Sequence, residues 1–337
     1  MTSITYKKAG VDIAAGDKIA KVARDLASGF KKNGMVSDIG LFAGLFKVNW
    51  KKYKNPLLVA CTDGVGTKVK LAQALNRHKT IGQDLVAMNV NDLITCGASP
   101  LFFLDYIGCH KVELPVIKKI LKSITAACKN SGCTLIGGET AEMPDIYAEG
   151  EYDLVGFAVG IVEKEKIIDG RQIKPGDVLI GLASSGLHSN GYTLARKLVA
   201  GNLHQKFGSK TIAEILLEPT RLYPKLISEL TSNFKIKGIA HITGGGITGN
   251  LPRIFPDGCG AVINKKSWTV PEIFKYLQEK GRISEKEMFK TFNLGIGLII
   301  VAGKKEASKI SGWLKKKREK YFIIGKITKG EKGVWLI

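Results

Sequence analysis

Nowhere in these 337 residues is there an apolar run approaching the roughly 20 residues that a membrane-crossing helix needs. The opening residues, Met1-Thr2-Ser3-Ile4-Thr5-Tyr6-Lys7-Lys8, lack the apolar segment of a secretory leader, so the expected location is the cytoplasm. The six cysteines, Cys61, Cys96, Cys109, Cys128, Cys133 and Cys259, form no C-x-x-C pair and sit mostly in apolar runs. That spacing argues against structural zinc and for reduced, buried thiols. There is no G-x-x-x-x-G-K-[ST], so no Walker A phosphate loop. Short repeats and low-complexity tracts are also missing.

Acidic residues are outnumbered, 30 against 51 Lys plus Arg, for a net charge of +21. Such a balance suits nucleic acid, small anionic substrates or simple solubility. The densest basic cluster, Lys315-Lys316-Lys317-Arg318, follows Ala307, Ile310 and Leu314 at helical spacing. It reads as the solvated face of a surface helix. No aromatic-rich strand interleaves the basic residues, so nucleic-acid binding is the weaker expectation.

Apolar segments alternate in strand-like and helix-like periods along most of the chain. Residues 57–61, 133–136, 154–162, 178–183, 238–242, 260–263, 296–302 and 321–327 read as strands. Residues 81–95, 116–128, 192–200, 223–231 and 271–280 read as helices. The second strand is expected to stop at Gly137-Gly138. Glycines 156 and 160 inside a long apolar strand imply close backbone approach or curvature. A charged run, Glu163-Lys164-Glu165-Lys166, and a turn, Lys174-Pro175-Gly176-Asp177, bracket the expected domain boundary. The fold class is mixed α/β (α+β) in two domains, residues 1–170 and 171–337.

The stretch richest in chemistry is Thr62-Asp63-Gly64-Val65-Gly66-Thr67-Lys68, directly after the first strand. Glycines let backbone N–H groups approach a phosphate, lysine supplies positive charge, and aspartate can hold a hard cation. On the helix at 81–95, Asp84, Met88, Asn91 and Asp92 share one face. Asp92 is either part of a solvated face or aimed at a metal. Gly137-Gly138-Glu139-Thr140-Ala141-Glu142 places another carboxylate after a strand, where α/β domains often carry clefts. In the second half, Ser184-Ser185-Gly186-Leu187-His188-Ser189-Asn190-Gly191 is dense in donors. A lone histidine is most often structural, but this one has polar and glycine neighbours, which places it at a cleft. Thr243-Gly244-Gly245-Gly246 precedes an expected helix at 248–254, a ready-made anion site.

Taken in order, these motifs resemble the phosphoribosylformylglycinamidine cyclo-ligase (aminoimidazole ribonucleotide synthetase) family. The resemblance runs from Tyr6-Lys7-Lys8-Ala9-Gly10-Val11-Asp12 through Asp63 to Lys68, Arg77-His78, Thr80-Ile81-Gly82 and Asp84-Leu85-Val86-Ala87-Met88. It continues through Asn91-Asp92-Leu93, Pro100-Leu101-Phe102-Phe103-Leu104-Asp105-Tyr106, the 137–144 run, the two second-half loops and Thr291-Phe292-Asn293 with Gly295-Ile296-Gly297. Relatives in the wider ATP-using superfamily, such as selenophosphate synthetase, thiamine-monophosphate kinase and a hydrogenase-maturation factor, look similar mainly at the first acidic loop and the Asn-Asp helix. One departure is a thinner glycine loop near the N-terminus, Gly40-Leu41-Phe42-Ala43-Gly44.

The resemblance implies ATP-dependent ring closure of formylglycinamidine ribonucleotide to 5-aminoimidazole ribonucleotide in purine biosynthesis. It implies a homodimer in which N-terminal sheets join into a barrel, and a C-terminal α/β sandwich. Expected roles follow: Mg²⁺ on Asp63, Asp92 and Glu139; ATP on those residues with Gly64, Gly66, Thr67, Lys68 and Asn91. Thr243, Gly244, Gly245, Gly246 and Ser189 hold the substrate, and His188, Lys68 and Asn190 serve the chemistry. The rival readings are another small-molecule phosphotransferase of the superfamily and a basic RNA-binding protein.

Overall fold

The apolar runs assemble into two main sheets, each in its own unit: residues 1–93 with 98–165, and residues 94–97 with 166–337. The computed structural model describes residues 5, 10, 12–29 and 34–337. Of the opening run at 6–12, Tyr6, Lys7, Lys8, Ala9 and Val11 lie outside the described residues. No helix among the described residues is long and apolar enough to cross a membrane. None of the six cysteines is in a disulfide, and four are buried.

The first unit contains α1 (Ile13–Ala27), β1 (Pro56–Gly64), α2 (Lys68–Ala74), α3 (Ile81–Leu93), β2 (Ser99–Cys109), α4 (Leu114–Asn130), β3 (Thr134–Glu142) and β4 (Tyr152–Glu163). Its sheet runs β1-β4-β2-β3. Only the β2–β3 pair is parallel, because α4 carries the chain back between them. Asp12 caps α1 by accepting the Ala14 N–H at 3.1 Å. Helix α4 is amphipathic and buries Ile117, Ile120, Leu121, Ile124 and Cys128. Helix α3 differs. Leu85, Val86, Ala87, Val90 and even Asp84, Asn89 and Asn91 are fully buried, so it is enclosed on all sides. At Gly82 a Cβ would meet the α4 backbone, and that close approach requires glycine.

Strands β1 and β3 outrun the sequence expectation. Thr62, Asp63 and Gly64 continue β1 because Phe157, Gly156 and Val155 of β4 supply ladder partners. Strand β3 does not stop at Gly137-Gly138. It runs on to Glu142 along Leu104–Cys109 of β2, so Glu139 sits mid-strand on the sheet edge and not in a loop beyond it. In β4, Gly156 and Gly160 reflect close approach. A Cβ at the first would run into Phe103 and Asn89, and at the second into Leu93.

The second unit contains β5 (Val178–Ala183), α5 (Tyr192–Leu198), β6 (Lys206–Phe207), β7 (Lys210–Thr211), α6 (Ile212–Leu216), α7 (Pro224–Asn233), β8 (Gly238–His241), α8 (Gly246–Asn250), β9 (Cys259–Ile263), α9 (Glu272–Gly281), α10 (Glu285–Thr291), β10 (Ile296–Ala302), α11 (Lys304–Lys316), β11 (Tyr321–Lys329) and β12 (Val334–Leu336). Its main sheet runs β12-β9-β11-β5-β10-β8. Leu182, Tyr223, Leu230, Leu298, Ile300, Ile310 and Leu314 form one core cluster. Ala307, Ile310 and Leu314 point α11 inward while Lys315, Lys316, Lys317 and Arg318 stay exposed, as the helical spacing predicts. The helix expected at 248–254 begins earlier, as α8, and tightens into a 3-10 turn over Leu251–Ile254.

Candidate active site

In the first unit, β1 ends at Asp63-Gly64 and α2 begins at Lys68, leaving a three-residue turn. Val65 plugs into the core, Gly66 takes a left-handed φ of 69°, and Gly66 and Thr67 are exposed. The Asp63 carboxylate accepts the Gly64 N–H at 2.8 Å. Behind it, Asn89 of α3 donates to the Asp63 carbonyl at 3.1 Å and to the Leu85 carbonyl at 2.9 Å, fixing the strand end. The Cys61 thiol donates to the Asn89 carbonyl at 3.1 Å. Burial pushes the Cys61 pKa up to about 12, and the charges of Asp92 and Asp63 add to that. Both carboxylates therefore stand near one half-buried sulfur. Asp92 occupies the last turn of α3, the negative end of the helix dipole, where a carboxylate is disfavoured unless a cation compensates it.

Glu139 is not gathered with them. Ladder register aligns Asp63 with Gly156, Gly156 with Asp105, and Asp105 with Gly138. Glu139 follows Gly138, so its side chain leaves the opposite face of the sheet. It is also three strand spacings from β1, roughly 14 Å along the sheet. Among the described residues, no group of three or more His, Cys, Asp or Glu side chains could hold a metal ion. Mg²⁺ commonly uses only one or two carboxylates, completing its shell with phosphate oxygens and water. The Asp63–Asp92 pair fits such a metal–nucleotide, and not a closed protein cage.

Lys68 and Asn91 are both fully buried. The Lys68 ammonium lies 2.8 Å from Asp84 Oδ1, with both side chains inaccessible. The fold holds Lys68, expected as a phosphate ligand, in an ion pair joining α2 to α3. Glu139 lines a cavity of about 800 Å³ whose walls come from α1, β2, β3 and the 38–44 segment. Asp105 lies in that lining, and sequence reasoning did not single it out. Its signal was a charged residue inside the apolar run 101–107.

In the second unit, the ends of β5 and β8 and the start of β10 meet at one edge of the sheet. Asn190 clamps two of these loops: its Oδ1 accepts the Gly244 N–H at 2.9 Å, and its buried Nδ2 has no hydrogen-bond partner among the described residues. Asn250 closes the second loop by donating to the Gly244 and Gly246 carbonyls at 3.1 and 2.8 Å. Its Oδ1 accepts from the Thr243 hydroxyl at 3.4 Å. Gly245 and Gly246 both have positive φ, 99° and 60°, and a Cβ at Gly246 would run into the Phe289 carbonyl. Asn293 supports the first loop, donating to Gly186 O at 2.9 Å and accepting from Gly295 N–H at 2.8 Å. The Ser189 hydroxyl pairs with Thr220 at 2.9 Å.

His188 is not at an open cleft. It is fully buried with φ of 62°, Nε2 accepts the Ser185 N–H at 3.2 Å, and the ring meets Tyr223 edge-on at 6.3 Å. Gly297 faces it, where a Cβ would strike the Tyr223 hydroxyl.

Two units of this kind, each bearing glycine loops at strand ends, define the class of the AIR synthase related proteins. The N-terminal domain of that class matches residues 43–162 and its C-terminal domain matches residues 174–336. Phosphoribosylformylglycinamidine cyclo-ligase of Citrifermentans bemidjiense is 52% identical over 340 residues, covering 98% of this chain and 97% of its own. The cyclo-ligase of Thermodesulfovibrio yellowstonii is 52% identical over 334 residues, covering 97% of each. The chain belongs to the phosphoribosylformylglycinamidine cyclo-ligase family. Its fold is shared with thiamine-monophosphate kinase from Stenotrophomonas maltophilia (TM-score 0.68, 18% identity, 95% of this chain and 94% of that one). It is also shared with the hydrogenase maturation protein HypE solved with ATP (TM-score 0.64, 15% identity, 88% and 84%).

Proposed function

We propose that the protein closes the imidazole ring of formylglycinamidine ribonucleotide, using ATP to yield 5-aminoimidazole ribonucleotide, ADP and phosphate, a step of purine biosynthesis. The observation that carries this is the identity of about half of all residues with cyclo-ligases across both domains. The chemistry has one difficulty: the formyl oxygen leaves poorly. Its phosphorylation makes an iminophosphate. The neighbouring nitrogen then attacks the formyl carbon and loses a proton, the carbon–oxygen bond breaks, and phosphate departs. Such transfer depends mainly on positioning and charge stabilisation.

The first unit is the ATP-binding part in this reading. Asp63 and Asp92 hold Mg²⁺, which would neutralise charge on the phosphates. The exposed backbone at Gly66 and Thr67 receives phosphate oxygens, beside the Gly64 N–H that the Asp63 carboxylate already takes, and buried Asn89 fixes the Asp63 backbone from behind while buried Asn91 backs the same site. Lys68 acts from beneath, keeping the turn in place through Asp84. Glu139 serves the nucleotide from the cavity edge. In the second unit, the loop of Thr243, Gly244, Gly245 and Gly246 receives the ribose phosphate; Asn190 and the Thr243 carbonyl already take the Gly244 and Gly246 N–H groups, so the Gly245 N–H is the one offered. Asn190 and Ser189 fix that loop from its neighbour, and His188 shapes the adjoining turn.

A homodimer belongs to the proposal. Leu58, Val155 and Phe157 lie on one face of the first sheet and are 60%, 37% and 40% exposed. An apolar sheet face calls for a cover, and the same face of a second copy would close the two sheets into a barrel.

The test is incubation of the purified protein with ATP and either formylglycinamidine ribonucleotide or thiamine monophosphate, with products read by mass spectrometry. Aminoimidazole ribonucleotide together with ADP supports the reading. Thiamine diphosphate without ring closure would move the protein to another branch of the fold.

A further inference from the structure

The cavity in the first unit has a largely apolar lining with three acids, of which Asp105 is enclosed while Asp38 and Glu139 are exposed. Ile19 and Ala23 of α1, Phe102 of β2 and Leu135 of β3 contribute to its walls. Asp105 also lines it and is only 7% exposed. No other described residue hydrogen-bonds its carboxyl; only its own backbone N–H is in reach. The residues flanking Asp105 on both neighbouring strands are glycines, Gly156 and Gly138. A Cβ at Gly138 would run into the carboxyl, and Gly138 itself is exposed. The missing side chain keeps that carboxyl open to the cavity. An enclosed acceptor whose one protein partner is its own backbone N–H is costly to maintain unless a ligand satisfies the rest of it.

We propose that Asp105 reads the base of the nucleotide, accepting the exocyclic amine of adenine while the apolar walls hold the ring. The inference rests on the reading above that ATP is the co-substrate. A flat heteroaromatic ring suits apolar walls with a few fixed polar groups. The 6-amino group is a donor at the ring's edge, and Asp105 is the enclosed acceptor. Burial raises the Asp105 pKa to about 7, so near neutrality the carboxyl can also donate to the ring nitrogen beside the amine. A site built to bond a substrate N–H discriminates strongly against an analogue without it, because the acceptor is left bare.

The test compares ATP with purine riboside triphosphate, which lacks the 6-amino group, in the full-length protein. KM values are taken for wild type, Asp105→Ala, Asp105→Asn and Gly138→Ala. Wild type should prefer ATP by about ten-fold or more. Asp105→Ala should bind the two alike, with unchanged KM for formylglycinamidine ribonucleotide. Asp105→Asn, which keeps an acceptor and a donor, should retain the preference. Gly138→Ala should raise the KM for ATP by closing the approach. An Asp105→Ala protein that still prefers ATP as wild type does would overturn the proposal. So would a rise confined to the KM of formylglycinamidine ribonucleotide, which would give Asp105 to that substrate's amidine. A wild-type protein that turns over neither triphosphate would instead overturn the reading of ATP as co-substrate.

Discussion

Lys68 and Asp84 form an ion pair of 2.8 Å in which neither side chain reaches solvent. Desolvating both charges makes the pair a weak source of net stability, but removing one partner strands the other. Lys68→Met should therefore cost roughly 3–5 kcal/mol, and the double variant with Asp84→Leu should recover much of that loss. Chemical denaturation of the wild type and both variants decides it. A phosphate ligand would behave differently: Lys68→Met would fold normally and lose only ATP turnover.

The metal assignment gives a separable outcome. Asp92→Asn preserves shape and removes a charge from a half-buried position at the end of α3. Folding should be unaffected or slightly improved, since a carboxylate there opposes the helix dipole. ATP turnover should fall by 100-fold or more, on the order seen when a charge-stabilising group is lost. Titrating Mg²⁺ should show a raised requirement. Glu139→Gln should leave that requirement unchanged, because its side chain leaves the other face of the sheet.

How far the sequence reveals these sites depends on the kind of residue. Strands β5 and β10 were legible to the residue, since both are continuous apolar runs buried on both faces. Gly137-Gly138 misled because glycine usually punctuates. Here the pair stays in the ladder, and Gly138 gives room to Asp105 on the next strand. Lys68 and His188 misled for a related reason. Polar neighbours in sequence suggest exposure, whereas burial is set by Asp84 and Tyr223, 16 and 35 positions further on. Glycine loops were legible because positive φ demands glycine locally. Long-range partners leave no such local trace.

The loop clamp in the second unit is testable on its own. Asn190→Ala deletes the bond to the Gly244 N–H, a loss of about 1 kcal/mol if the amide is exposed and more if it is enclosed. The KM for formylglycinamidine ribonucleotide should rise several-fold to ten-fold while that for ATP stays within two-fold. Steady-state kinetics with each substrate varied gives the answer. A change in the ATP KM alone would detach this loop from the substrate phosphate.

Assembly is read by light scattering. Phe157 lies on the apolar face of the first sheet and pairs in register with Thr62. Phe157→Lys places a charge where a second sheet would pack, and a buried unpaired charge is not tolerated there. Light scattering should give a dimer for the wild-type protein and a monomer or aggregate for the variant. A wild-type monomer that is active at assay concentration removes the barrel from the proposal.

Asp105 makes a prediction about stability that is independent of any ligand. Burial raises its pKa to about 7 in the folded chain, whereas an unfolded aspartate titrates near 4. Between those values the folded state binds more protons than the unfolded state, so stability falls as pH rises. The penalty is absent below about pH 4 and complete above about pH 7, reaching roughly 4 kcal/mol at most. Asp105→Asn removes the titrating group while keeping its shape. The variant should match the wild type near pH 4 and exceed it increasingly up to pH 7, with a constant advantage beyond. Thermal melts of both proteins across that range provide the measurement. Parallel curves would mean that the carboxyl titrates normally and that water, or a group from a second chain, reaches it.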